Sequence, residues 1–373
     1  MSLWASPGPP SPTCLAFFLP QYHPIPENDE WWGTGFTEWT SVTRARPRFP
    51  GHYQPHLPAD LGFYDLRLEE TREAQAALAS AYGIDGFVYY HYWFSGRQVL
   101  ERPVDSLIES GRPGLPFCLA WANENWTRAW DGGGDHVLLR QEYSREDDLA
   151  HIRALRSALT DPRYITVHGK PVLLVYKAAG LPDPLATSGL WREEVARWGL
   201  PGLYLLKVES TWEEMAPPQD AGFDASVEFQ PRWWDLPSAS KLLNSAERAL
   251  EKRGTHLTKI RSYRKIAARM SAEGIPPYPR WPGVTPMWDN SPRRKPALIL
   301  VGSTPQAYEQ WLAAALVKAN QVATDHPAHR PLVFINAWNE WAEGNHLEPD
   351  QRHGRAYLEA NLHAVELHRQ SLG

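Results

Sequence analysis

The chain has 373 residues, with 38 Lys plus Arg against 43 Asp plus Glu, a formal net charge of −5. That balance lacks the basic footprint a nucleic acid or an anionic membrane surface requires, no apolar run reaches the ~18 residues of a membrane span, and two cysteines exclude a disulfide framework. The unusual counts are 18 Trp, 15 Tyr and 34 Pro. Much of the Trp stands beside Gly, Asn, Asp and Glu, and flat aromatic faces next to hydrogen-bonding groups suit sugar rings.

Met1 to Thr13 carries no Lys or Arg and the apolar stretch after it is short, a poor signal peptide and a good first strand. A cytoplasmic protein is the expectation. Strand one spans 14–19, ends at Pro20, and holds Cys14; like Cys118 in strand three, Cys14 reads as a buried free thiol. A long polar and aromatic loop follows, to about 68. A helix over 69–82 stops at Gly83, strand two is 85–92, and a helix over 100–110 closes at Gly111. Strand three, 117–121, leads into a second aromatic loop, 122–143. Ser144 caps a helix over 145–159 whose first turn is acidic, as the helix dipole favours. Strand four is 172–176, a helix lies near 188–198, strand five is 203–208 and strand six 224–229.

Residues 236–280 form a basic, largely helical connection with Lys241, Arg248, Lys252, Arg253, Lys259, Arg261, Arg264, Lys265 and Arg269, read as a solvated helical face. Strand seven sits near 284–288, Thr304-Pro305 starts a helix over 305–320, strand eight is 332–336, and a last helix covers about 354–370. Alternating strands and helices without a fixed repeat predict an α/β fold: a single (β/α)8 TIM barrel, one catalytic domain over 1–373, with long aromatic-rich βα loops and the helical insertion at 236–280. A doubly wound sheet is the runner-up, but Pro20-Gln21-Tyr22-His23 after strand one is no phosphate cradle.

A barrel gathers its chemistry at the C-terminal ends of its strands. Strand one is followed by Gln21, His23, Trp31, Trp32, Glu38 and Trp39, and strand two by His91, Tyr92 and Trp93. After strand three come Trp121, Asn123, Glu124, Asn125, Trp126, Arg128, Trp130 and Asp131; Lys177 follows strand four and Glu209 strand five. Glu228 and Gln230 end strand six, Trp288, Asp289, Asn290 and Arg293 strand seven, and Asn336, Trp338, Asn339, Glu340 and Glu343 strand eight. One Asn or Trp at such a place has an ordinary explanation as cap or core; a whole rim of them does not. Glycosidic cleavage needs two carboxyl groups, one protonated and one ionised. Glu340 and Glu343 are the leading pair, since a helical turn after strand eight would put i and i+3 on one face about 5–6 Å apart. Glu124 is a third candidate for substrate contact. His23, His52, His56 and His91 have no short ligand spacing, so neither metal nor cofactor is expected.

The segments Phe18-Leu19-Pro20-Gln21-Tyr22-His23-Pro24-Ile25-Pro26-Glu27-Asn28, Trp31-Trp32-Gly33, Gly35-Phe36-Thr37-Glu38-Trp39, Trp121-Ala122-Asn123-Glu124-Asn125-Trp126, Trp288-Asp289-Asn290 and Trp338-Asn339-Glu340-Trp341-Ala342-Glu343-Gly344 resemble the WbsX-like family, related to glycoside hydrolase family 99, the endo-α-mannosidases. The resemblance covers about 14 to 365. It implies a (β/α)8 barrel, a carbohydrate substrate and no metal. It also implies that Glu340 deprotonates the sugar 2-hydroxyl, which attacks C1 to give a 1,2-anhydro intermediate, while Glu343 serves as acid and then base, with net retention. Ala342 stands where family 99 carries His.

The expectation is therefore a retaining glycoside hydrolase acting on a poly- or oligosaccharide, of α-mannoside type by the resemblance. A glycosyltransferase or transglycosylase of cell-surface polysaccharide synthesis is the first alternative. A barrel that only binds carbohydrate is the second, and a Glu340–Glu343 pair held apart or tied up in ion pairs would favour it.

Overall fold

The computed structural model describes residues 11–128, 133–237, 239–240 and 257–372. Short apolar runs rich in Val, Leu, Ile and aromatics, buried on both faces, make the strands. They are β1 Thr13–Phe18, β2 Gly86–Phe94, β3 Phe117–Trp121, β4 Lys170–Val175, β5 Tyr204–Glu209 and β6 Ala225–Glu228. β7 comes in two halves, Arg280–Trp281 and Gly283–Val284, and β8 is Leu332–Ile335.

Around the sheet the order runs from Arg280–Trp281 through β6, β5, β4, β3, β2, β1 and β8 to Gly283–Val284, and every pairing is parallel. The two ends of that order flank Pro282. Proline offers no N–H to a ladder, but the Pro282 carbonyl accepts from Phe334 N at 3.0 Å, so one split stave joins β6 to β8 and closes the barrel. Gly283 is required there: a Cβ would stand 1.8 Å from the Glu228 carbonyl oxygen.

Strand seven thus lies at 280–284 rather than the expected 284–288. Pro286 cannot donate within a strand, and Trp288 and Asp289 belong to the loop beyond. The helices are α1 Pro26–Trp32, α2 Glu38–Arg44, α3 Glu69–Ala81, α4 Arg102–Ser110, α5 Arg145–Ala154, α6 Pro184–Arg197, α7 Tyr263–Ala272, α8 Pro305–Asp325 and α9 Ala356–Leu372. Ser144 Oγ caps α5 by accepting from Asp147 N at 3.1 Å, and Thr304 Oγ1 caps α8 through Ala307 N at 3.2 Å. The helix expected over 145–159 breaks at Leu155 and resumes as a short turn, Arg156–Leu159. Of the basic connection, Lys241, Arg248, Lys252 and Arg253 lie outside the described residues. Its C-terminal part forms a strand, Lys259–Ser262, paired in parallel with Leu298–Val301, and then α7. No helix among the described residues is long and apolar enough to cross a membrane.

Candidate active site

The segment after β8 bends back over the end of β1. Trp338 N donates to Phe17 O at 2.8 Å, Leu19 N donates to Asn339 Oδ1 at 2.7 Å, and Asn339 Nδ2 returns a bond to Leu19 O at 3.1 Å. The Tyr22 hydroxyl donates to the Asn339 carbonyl. Asn339 and Glu340 then bridge antiparallel to His346 and Asn345, and between the two sides Trp341–Glu343 makes a single 3-10 turn closed by Gly344 at φ 51°. The turn is tighter than the helix expected from sequence, and it carries Glu340 and Glu343 at the C-terminal rim.

One guanidinium joins them. Arg293 Nη2 lies 3.5 Å from Glu340 Oε2, Arg293 Nη1 lies 3.2 Å from Glu343 Oε1, and Nη2 also pairs with Glu38 Oε1. Glu38, first residue of α2, is fully buried and accepts from Ala342 N at 3.1 Å. One cation thus stands among three carboxylates, which cannot all ionise cheaply at such depth. Burial first, then the neighbouring Glu343 charge, hold the Glu340 carboxyl well above the usual range, with Arg293 opposing. Burial likewise raises Glu38 against the pull of Arg293. The side chain of Glu343 is the most open of the three, 20% exposed against 8% for Glu340 and 0% for Glu38.

Glu340 and Glu343 face a cavity of about 950 Å³, of a size that holds a small oligosaccharide. Gln21, Trp32, Asn123, Glu124, Trp126 and Trp288 line it, as do Trp31, Lys177, Asn290 and Arg293 from the same rim. Gln21 Nε2 and Trp288 Nε1 are buried donors without a hydrogen-bond partner among the described residues, the kind of unspent group a hydroxyl can use. Trp126 meets Trp31, Tyr92 and Phe94 edge-on at 5.9, 5.2 and 5.8 Å. Glu124 pairs with Lys177 at 2.5 Å, and Asn123 clamps the Lys177 backbone with bonds of 2.8 and 2.7 Å.

The remaining expected site residues do not line this cavity. His91 bonds His151 of α5 at 2.9 Å, Trp93 donates to Asp147 at 3.0 Å, and Trp121 is buried between His151 and Trp191. Trp39 donates to Tyr64 O at 2.9 Å and Trp338 packs on Phe87. His23 is buried, which pushes it down to about 4. Asp289 accepts from His52 at 2.6 Å and from Gln54 at 2.7 Å. Glu38, Asp289 and Asn339 act on the turn from behind. Trp130 and Asp131 lie outside the described residues.

Sequence reasoning passed over Tyr90, Tyr176, Phe229 and Trp233, which do line the cavity. Strand alternation carried the signal for the first: in β2 the side chains of Tyr90 and Tyr92 share one face while His91 and Trp93 share the other. The histidines gather elsewhere, with His56 Nδ1 3.0 Å from His346 Nε2 and both near Asp350.

The fold is a (β/α)8 barrel with a carboxylate-rich turn and an aromatic cavity at its C-terminal rim. The chain belongs to the WbsX glycosyltransferase family, whose model matches residues 14–361. It is 44% identical over 357 residues to the WxcX proteins of two Xanthomonas campestris pv. campestris strains, ATCC 33913 and B100, covering 95% of this chain and 49% of each relative. The chain therefore spans about half the length of the curated relatives it matches. Among solved structures it resembles a glycoside hydrolase-like protein at a TM-score of 0.58, with 14% identity, 95% of this chain and 94% of that chain covered. It resembles the GH99 endo-alpha-mannosidase of Bacteroides thetaiotaomicron at 0.56, with 14% identity and 96% and 98% covered. These two likenesses establish the shared fold.

Proposed function

We propose that this chain is a carbohydrate-active enzyme that cleaves a glycosidic bond with Glu340 and Glu343, as a retaining glycoside hydrolase on a poly- or oligosaccharide, its barrel acting as one catalytic domain. The observation that carries this reading is the pairing of Glu340 and Glu343 on one guanidinium at the mouth of an aromatic-lined cavity. Arg293 does not tie up the pair, because it is shared with Glu38 and Glu340 remains raised. Burial and the neighbouring Glu343 charge hold Glu340 raised, and a protonated carboxyl beside a second carboxyl is the set of groups that acid–base cleavage requires.

The roles follow the resemblance to glycoside hydrolase family 99. Burial and the neighbouring Glu343 charge hold Glu340 raised in the free chain, so in this role it first gives up its own proton; once ionised, its desolvated carboxylate takes the 2-hydroxyl proton, and that oxygen attacks C1. Glu343, the more open carboxyl, protonates the departing oxygen and then activates water, so the anomeric configuration is retained. Trp31, Trp32, Trp126 and Trp233 supply faces for sugar rings, and Gln21, Asn123 and Glu124 supply hydrogen bonds.

The test is activity on a panel of bacterial and fungal polysaccharides and α-mannosides, with wild type beside Glu340→Gln and Glu343→Gln. Cleavage abolished by both substitutions supports the pair; cleavage that survives both removes it.

The family's own description favours a second reading, glycosyl transfer, and Lys177, Lys259 and Arg294 on the cavity wall are groups a sugar diphosphate could meet. A nucleotide sugar that raises the melting temperature by mass action, together with no hydrolysis of any glycan, decides for transfer.

A further inference from the structure

Behind the turn that carries Glu340 and Glu343, His56 converges with His346 and Asp350, a pair four residues apart near the other end of the chain. His56 Nδ1 is 3.0 Å from His346 Nε2, His346 Nε2 is 3.9 Å from Asp350 Oδ2, and the three ligand atoms lie within 4.8 Å of one another. All three residues are buried, at 5%, 2% and 2% exposure. We propose that His56, His346 and Asp350 form a structural site for a divalent transition-metal ion, zinc by its ligand chemistry, that staples the loop around His56 to the back of the turn bearing the two candidate carboxylates.

Hydrogen-bond accounting supports it. His346 Nδ1 is 2.9 Å from the Glu348 carbonyl. A carbonyl only accepts, so Nδ1 carries the proton and Nε2 presents a lone pair. Asp350 Oδ1 is occupied by the Arg352 and His353 amides at 3.0 and 2.5 Å, whereas Oδ2 is buried with no hydrogen bond from the described residues. The His346 Nε2 lone pair, the Asp350 Oδ2 atom and the His56 Nδ1 atom form a triangle, into which His56 turns either an N–H toward His346 or, as its Nε2–H tautomer, a third lone pair. The second arrangement is the one a cation occupies. Two imidazoles and a carboxylate suit zinc, whose bonds of about 2.0–2.2 Å put tetrahedral ligands roughly 3.3 Å apart, a spacing the observed 3.0 and 3.9 Å bracket. The Nδ1–H to carbonyl bond of His346 is the outer-shell support that metal-bound histidines use.

The location gives the ion its purpose. The His346 ring stacks on Trp341 at 3.8 Å and 13°, and Trp341 Nε1 donates to Glu348 at 2.6 Å. From the other side Tyr53 stacks on His56 at 4.2 Å. Backbone bonds from Ala59 N to Pro349 O and from Gln351 N to Leu57 O, each 2.9 Å, already run between the two segments. The ion would lock the same junction from its side chains and take no part in the chemistry.

The full chain, stripped with EDTA and exchanged into chelator-free buffer, is titrated with Zn²⁺ by calorimetry and by melting, alongside His56→Gln and Asp350→Asn. About one zinc per chain and a raised melting temperature are expected for wild type, and both effects should vanish in each folded variant. Co²⁺ added to the wild type should give the visible bands of a low-symmetry nitrogen and oxygen ligand set, a readout that does not depend on either variant folding. Zinc retained by both variants places it elsewhere. A wild type whose melting ignores zinc and whose cobalt spectrum is that of the hydrated ion holds no metal at this triangle; either result overturns the proposal.

Discussion

Asp289 and Glu343 are joined through their backbones: the Asp289 N–H donates to the Glu343 carbonyl at 2.6 Å. That bond fixes the loop after β7 against the turn after β8, and Gly344 is what lets it form. Its φ is 51°, and a Cβ there would stand 2.9 Å from Asp289 Cβ and 3.0 Å from the Asp289 carbonyl. Gly344→Ala combines left-handed strain with this overlap, so a loss of about 1–3 kcal/mol is expected. The displaced turn should also lower kcat on whichever substrate the panel identifies. Chemical denaturation measures the first effect; full stability in Gly344→Ala would mean the Asp289 contact gives way freely.

Arg293 is the cation on which the candidate pair depends. Arg293→Met leaves Glu38, Glu340 and Glu343 together without it, and removing one partner of a buried ion network costs about 3–5 kcal/mol. The deficit should shrink as pH falls, already above the ordinary carboxylate range, because burial holds Glu38 and Glu340 raised and their protonation removes charge the arginine offset. Melting curves of the variant and wild type at several pH values test this; a deficit that does not change with pH would show that Arg293 matters for packing rather than charge.

How far the site could be read from the chain depended on which face a residue took. The eight-strand alternation and the rim of polar and aromatic residues were legible because apolar runs and punctuation repeat along the sequence. His91 and Trp93 looked like site residues because they end a strand next to Tyr90 and Tyr92, but successive strand residues point to opposite faces. His91 and Trp93 reach His151 of α5, while the tyrosines line the cavity. Glu340 and Glu343 were legible as a motif; the arginine between them was named only as one of several residues after strand seven, since nothing local tells which charge a loop will deliver across a barrel. The triangle of His56, His346 and Asp350 spans two distant loops; His346 and Asp350 stand four apart, but nothing local tells that His56 will be delivered beside them.

The tryptophans divide the same way, and substitution should separate them. Trp126 is half-buried on the cavity wall and Trp121 is fully buried against His151 and Trp191. Trp121→Ala should cost about 3–5 kcal/mol as a core truncation. Trp126→Ala should leave the fold close to wild type and weaken saccharide binding by roughly 0.5–1.5 kcal/mol beyond its area term, seen as a raised KM with kcat little changed. Equal destabilisation by both would remove Trp126 from the ligand-facing set.

Glu340 makes a pH prediction whose sign is fixed by burial. Its folded-state carboxyl is held above the unfolded value of about 4.3, so the folded chain keeps a proton that the unfolded chain gives up. Stability from this group is complete below the unfolded pKa and drains away as pH rises through the raised folded value. Glu340→Gln keeps the shape and cannot ionise. Its stability relative to wild type should therefore improve steadily from acidic to neutral and alkaline pH, even though the proposed activity is lost, the exchange of stability for function expected of a strained site. Melting temperatures of the two proteins across that range are the measurement. A difference that is flat, or that turns against the variant as pH rises, would mean that Arg293 wins over burial and that Glu340 rests as a carboxylate, the form in which it can act as base directly.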